Sequence, residues 1–295
     1  MSCPQSKDEP RSGKSVSSPL VLTTLPDLAC WVREVGGESV TVRSLLAGGE
    51  EPHSYEPSPI DAEQVKKARL VVRIGLGLDE WLKGLIQNSR NNNLRILTVA
   101  EGVEVIEDED VAEHEEEGHC HTHEEGNPHI WLDVEVAKRT VQRVRDILIE
   151  FNPQRGEFYH KRCDRYLKLL DSTVAELQKV TQKLTNRKFL AMHESWPYFC
   201  RAFGFEMVRA IEPLPGQEPS ARDLAQLVAT VRKEKVRAIV VEPQHNRDLA
   251  DALARETGAK VVVLASVTGS LPEVSDYVSL LKYDVTTLID VLAER

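Results

Sequence analysis

Residues 154–184 contain no proline, and apolar side chains recur through them at helical spacing: Tyr159, Cys163, Tyr166, Leu170, Val174, Leu177 and Leu184. Steps of three or four residues, or their sums, predict an amphipathic helix. With Asn152 as its cap and Pro153 in its first turn, the helix runs for about thirty residues, or roughly 45 Å at 1.5 Å per residue. A crossover between neighbouring strands needs far less. A helix of this length spans a whole lobe, so the chain on either side of it is expected to fold as two bodies.

Both flanks carry the same pattern. Before the helix, apolar runs at Leu20–Leu25, Val40–Leu46, Leu70–Ile74 and Leu94–Val99 alternate with helical segments opening at Pro26, Asp61, Asp79 and Asp133. After it, runs at Lys188–Met192, Glu206–Ile211, Arg237–Glu242 and Lys260–Leu264 alternate with helices at 195–203, 220–233, 247–257 and 273–293. Short strands alternating with helices predict parallel sheets with helical crossovers. The expected fold is therefore α/β: two parallel-sheet lobes bridged by one long rigid helix. The lobes take residues 20–152 and 187–295, and the linking helix takes 153–186. Residues 1–19 are polar and are expected to be a flexible tether. Ligands of such architectures bind in the cleft at the carboxyl ends of the strands.

The net charge of −10 is concentrated in one place. Residues 101–125 hold twelve acidic and no basic residues, which leaves 37 basic against 35 acidic elsewhere. With no basic stripe to release counterions from phosphate, a nucleic-acid partner is excluded. No apolar run approaches the roughly 18 residues of a membrane span. The five cysteines, Cys3, Cys30, Cys120, Cys163 and Cys200, include no CxxC pair, so a thiolate zinc ribbon is excluded. Cys30, Cys163 and Cys200 fall in apolar helical patterns and read as buried small hydrophobes. Cys3 precedes the polar tether without an apolar leader ahead of it. Two readings fit: an arbitrary cysteine in a polar tail, or a lipid-anchoring position left after removal of a signal segment.

Three histidines occupy equivalent places. His53 lies in the loop after the second strand, His129 just before the helix opened by Asp133, and His193 at the end of the first strand of the second lobe. All three are expected to face the cleft, where neutral imidazoles from two lobes suit one zinc ion. Taken singly, each reads equally as a surface or core histidine. A second signal is the acidic segment 108–126, which packs His114, His119, His121, His123 and Cys120 among carboxylates. Short His-rich tracts bind metals, and the negative field raises the local cation concentration. With almost no apolar residues to bury, the segment is expected to be mobile and to hold zinc weakly.

The segments GGEEPHSYEPSP, NPHIWLD and FLAMHESWPYF, followed by IVVEPQ and ARETGAKVVVL, resemble the zinc/manganese-type substrate-binding proteins of bacterial ABC importers. The resemblance runs from about Leu20 to Arg295. It implies metal ligation by His53, His129 and His193, with histidine rather than glutamate at the third position marking a zinc-type member. It also implies Zn²⁺ as transported ligand, an ABC permease as partner, a monomer, and an extracytoplasmic place in the periplasm or lipid-anchored at the cell surface. One departure stands out: family members commonly carry an acid just after the last strand, where this chain has Ala265 and Ser266. Water, Glu51, Glu242 or a residue of the acidic loop such as Glu124 is left to complete the coordination. Two rival functions remain open from the residues. One is a three-His zinc hydrolase with Glu194 or Glu242 as base, although HESWP lacks the second histidine of HExxH. The other is a buffer in which the His-rich loop does all the binding.

Overall fold

The computed structural model describes residues 18–107, 126–212 and 219–293. The tether with Cys3, the His-rich loop with Cys120 and Glu124, and the expected mobility of that loop lie outside them. The first lobe holds β1 (Leu20–Thr23), α1 (Pro26–Gly36), β2 (Thr41–Ser44), α2 (Pro59–Lys67), β3 (Leu70–Arg73), α3 (Trp81–Ser89), β4 (Arg95–Thr98) and α4 (Val134–Phe151). After α5 (Gly156–Thr181) come β5 (Lys188–Ala191), α6 (Pro197–Phe203), β6 (Glu206–Ala210), α7 (Ala221–Glu234), β7 (Ala238–Val241), α8 (Asp248–Thr257), β8 (Lys260–Val263) and α9 (Tyr277–Leu292). All pairings are parallel, with strand order β2-β1-β3-β4 in one sheet and β6-β5-β7-β8 in the other. The same order in both lobes sends the loops that follow equivalent strands to equivalent places.

Burial explains why each run became the strand it did. The central strands β3 (LVVR) and β7 (AIVV) are covered on both faces and read as nearly continuous apolar runs. The edge strand β2 (TVRS) leaves alternate residues exposed. Side-chain caps open α2, α4, α7 and α9. Ser220 and Asp223 form a reciprocal box at α7, and Asp133 accepts from Glu135 N at α4. Several starts differ from the expectation: α6 opens at Pro197 rather than 195, and α9 at Tyr277, capped by Asp276, rather than 273. Ser58, not Asp61, caps α2, and Asp61 returns the bond from the third position. Asp79 does not open α3: its carboxylate is buried under the β3 loop, accepting from Ile74 N, Gly75 N and the Thr24 hydroxyl.

The linking helix is 26 residues long, about 39 Å. It is shorter than expected because Pro153–Arg155 form a separate 3₁₀ turn and the helix ends at Thr181. Its buried stripe is Tyr159, Cys163, Tyr166, Leu170, Thr173, Leu177 and Thr181. Val174 is only half-buried and Thr173 takes its place, while Leu184 is buried beyond the helix end. The stripe packs on α1, α4 and α9, so one continuous apolar core joins both lobes. Cys163 and Cys200 are buried free thiols and Cys30 is partly covered; burial pushes Cys30 and Cys200 up to about 12, as expected of inert thiols. Leu170→Ala is expected to cost about 2–5 kcal/mol, as for other buried leucines, in one cooperative urea transition. Two separate transitions would show that the helix does not couple the lobes.

Polar ties cross the same boundary. Asp27, at the start of α1, accepts from both the backbone N and the hydroxyl of Thr268 at 3.2 and 2.6 Å. Trp131 donates its ring N–H to Ser266 O at 2.7 Å, and the Tyr277 hydroxyl donates to Trp131 O at 2.8 Å. All of these groups are buried, which fixes the lobes at one spacing across the cleft.

Candidate metal centre

Each histidine is set by local chemistry. Pro52 starts a single 3₁₀ turn, Pro52–Ser54, that carries His53, and the Glu51 carboxylate caps it by accepting from His53 N at 3.2 Å. His129 sits just ahead of another single turn, Ile130–Leu132. Asn127 holds it twice: its Oδ1 accepts from His129 N at 3.0 Å and lies 2.9 Å from His129 Nδ1. His193 follows β5 by two residues, after Met192 N donates to Val240 O.

These three positions converge. Ring centroids lie 5.1 Å apart for His53–His129, 5.3 Å for His53–His193 and 5.2 Å for His129–His193. One ligand atom from each falls within 4.8 Å of the others. Among the described residues they form the one group of three or more histidine, cysteine or carboxylate side chains so placed. His53 Nε2 and His129 Nε2 are 3.2 Å apart. Two nitrogens bound tetrahedrally to one zinc at 2.0–2.1 Å are separated by about 3.3 Å, so this pair already has the spacing of an ion's shell.

The state of the imidazoles fits the same use. The Asn127 Oδ1 can only accept, so His129 carries its proton on Nδ1 and keeps the Nε2 lone pair for the cleft. The Asn127 amide orientation is settled by its other end, which donates to Glu194 O at 2.8 Å. His193 is 6 % exposed, and neither of its ring nitrogens makes a hydrogen bond of good geometry. Burial, reinforced by His53, lowers its pKa to about 3, so the ring is neutral at any physiological pH. A buried, neutral, unpartnered imidazole costs free energy in a protein, and a bound cation removes that cost. Asn127→Ala is expected to weaken zinc by roughly 10–100-fold through loss of this orientation. Titration of the variant tests it, and unchanged affinity would show that His129 orients itself.

The other expected acids are placed differently. Ala265, where an acid was expected, donates its backbone N to Asp284 and serves the α9 contact. Glu242 directly follows β7 but is buried outside the histidine group, and Glu194 contributes its backbone carbonyl to Asn127. Glu51 does reach the cleft, 3.9 Å from His53 Nε2. Residues unmarked by the sequence reading complete the lining: Trp131, Ser195, Gln244 and His245 join Glu51, Pro52, His129, His193 and Ser266 around a cavity of about 10 Å³. His245 had a readable signal, since it follows the β7 end by four residues, just past EPQ.

Residues 21–291 match the family described as ZnuA, the periplasmic component A of zinc-uptake complexes. The chain belongs to the ZnuA family. It is 27 % identical over 248 residues to the zinc-binding lipoprotein AdcA of Streptococcus pneumoniae, covering 83 % of this chain and 49 % of AdcA. The chain thus spans about half the length of that relative. It is also 27 % identical over 281 residues to the manganese-binding lipoprotein MntA of Halalkalibacterium halodurans, covering 93 % of this chain and 88 % of MntA. A crystal structure of ZnuA superposes with a TM-score of 0.81 at 26 % identity, over 93 % of this chain and 99 % of that one. The family description is that of a periplasmic component of zinc-uptake complexes, not of a hydrolase.

Proposed function

We propose that this ZnuA-family chain captures Zn²⁺ outside the cytoplasm and delivers it to a membrane ABC permease, with His53, His129 and His193 as its ligands. The observation that carries the reading is the convergence of His53, His129 and the buried His193, one ligand atom of each lying within 4.8 Å of the others. One chain supplies all three ligands, so a monomer suffices. The preformed cluster also argues against a buffer that relies on the His-rich segment alone. No described helix is long and apolar enough to cross a membrane, which agrees with a permease being a separate chain.

Zinc is favoured over manganese by the donor set. Imidazole suits zinc at low coordination number, whereas manganese prefers hard oxygen ligands, often six of them. Three neutral nitrogens with one carboxylate, Glu51, at their edge give a nitrogen-rich site. The test is competition: with equimolar Zn²⁺ and Mn²⁺, one zinc per chain is expected in the cleft site, with manganese nearly absent. Comparable manganese occupancy would overturn the zinc assignment.

A further inference from the structure

The cavity beside the three histidines has a second set of metal-binding atoms. Glu51 comes from the loop after β2 in the first lobe, and His245 from the loop after β7 in the second. Glu51 Oε2 lies 3.6 Å from His245 Nε2, while Glu51 Oε1 lies 3.9 Å from His53 Nε2. Two ligand atoms on one zinc are separated by about 3.3 Å, so the Glu51–His245 pair is within a few tenths of an ångström of that spacing. Neither belongs to the three-His group, yet both line the cavity that His129 and His193 line. His245 also stands 6.1 Å from His193, ring centre to ring centre, close behind the separations within the group itself.

Exposure orders these positions. The side chains of Glu51 and His245 are 23 % and 17 % exposed and that of His53 is 14 % exposed, whereas residues His129 and His193 are 4 % and 6 % exposed. Among the described residues, Glu51, His245 and His53 therefore lie on the more open side of the cleft, and His129 and His193 lie deeper. A hydrated divalent cation that gives up several waters in one step faces a high barrier. Exchanging them one at a time lowers each barrier.

We propose that Glu51 and His245 form an outer cation position across the mouth of the cleft, one ligand exchange away from the three-His site. The proposal rests on that site being the zinc site. In it, Glu51 and His245 first hold a partly hydrated zinc ion. Glu51 then keeps one oxygen on the ion while His53 replaces His245, after which His129 and His193 displace the remaining water. Departure runs through the same steps in reverse.

A waystation and a ligand leave different kinetic marks. A group that lowers the barrier without touching either end state changes the capture and release rates by the same factor and leaves Kd alone. A group that ligates the final site changes the release rate and Kd together. The experiment is stopped-flow zinc capture, and zinc release to excess chelator, on the full chain and on His245→Phe, which fills the ring's space without a lone pair. Both rates are expected to fall about tenfold, a barrier change of about 1.4 kcal/mol, with Kd within roughly threefold of the parent. His245→Cys, which restores a zinc-binding atom, is expected to recover most of the rate. Unchanged rates in His245→Phe, a raised Kd with a faster release, or no recovery in His245→Cys would each overturn the proposal. Failure of the parent itself to bind zinc would instead overturn the three-His reading.

Discussion

Replacing His193 with alanine is expected to weaken zinc binding by roughly a hundredfold to a thousandfold while leaving the metal-free fold as stable as before. Zinc held by a complete protein shell is worth about 10–16 kcal/mol at neutral pH. One of four coordination positions thus accounts for about 2.5–4 kcal/mol, and each 1.4 kcal/mol is a factor of ten. The metal-free protein loses little because His193 makes no hydrogen bond of good geometry through either ring nitrogen. Removing it takes away a buried polar group that nothing satisfies. The triple replacement of His53, His129 and His193 is expected to abolish the tight site altogether. Calorimetric zinc titration with urea denaturation of the apo-protein checks both halves. If the triple variant bound one zinc as tightly as the parent, the site would lie elsewhere.

The sequence carries these three residues because each stands where an element ends, and parallel strands send such ends to one side of a sheet. The linking helix was legible for a similar reason: its stripe from Tyr159 to Leu177 keeps one face of a 3.6-residue period. What the sequence hides is pairing between loops. Glu51 and His245 are nearly two hundred residues apart, and only the closed spacing of the lobes, fixed by Asp27–Thr268 and Trp131–Ser266, brings them to 3.6 Å. Asn127 is hidden for a different reason. It reads as a turn residue before Pro128, and its work on His129 depends on an amide orientation set by the Glu194 carbonyl of the other lobe. The ends of the long helix were misplaced because propensity does not distinguish a 3₁₀ turn at Pro153 from the first turn of an α-helix.

Glu242→Gln is expected to stabilise the apo-protein by on the order of 2–3 kcal/mol at pH 8 and by almost nothing at pH 4.5. Glu242 is 1 % exposed, and neither carboxylate oxygen makes a hydrogen bond of good geometry. Burial, the largest cause, raises its pKa to about 7. Ser195 and Trp196 beside it pull the value down, and the Glu51 charge pushes it up. The folded state therefore holds this proton more tightly than the unfolded chain does. The carboxyl's contribution is favourable below its unfolded value of 4.5 and is lost as pH rises through 7. At about 1.4 kcal/mol per unit, ionising it in place costs roughly 3 kcal/mol by pH 8, a cost that an uncharged amide of the same shape does not carry. His193 slopes the other way. Its pKa is depressed by burial to about 3, so its contribution is present above 6.5 and lost as pH falls towards 3. Asp27, raised by burial to about 6, adds to the Glu242 slope between 3.8 and 6. Parent and variant share both of these terms, so the difference between their urea-derived stabilities at each pH reports Glu242 together with its effect on Asp284, whose buried carboxyl the Glu242 charge also raises. An equal difference at pH 4.5 and pH 8 would show that Glu242 keeps the same charge at both, and that its burial is compensated by a partner that ionises with it.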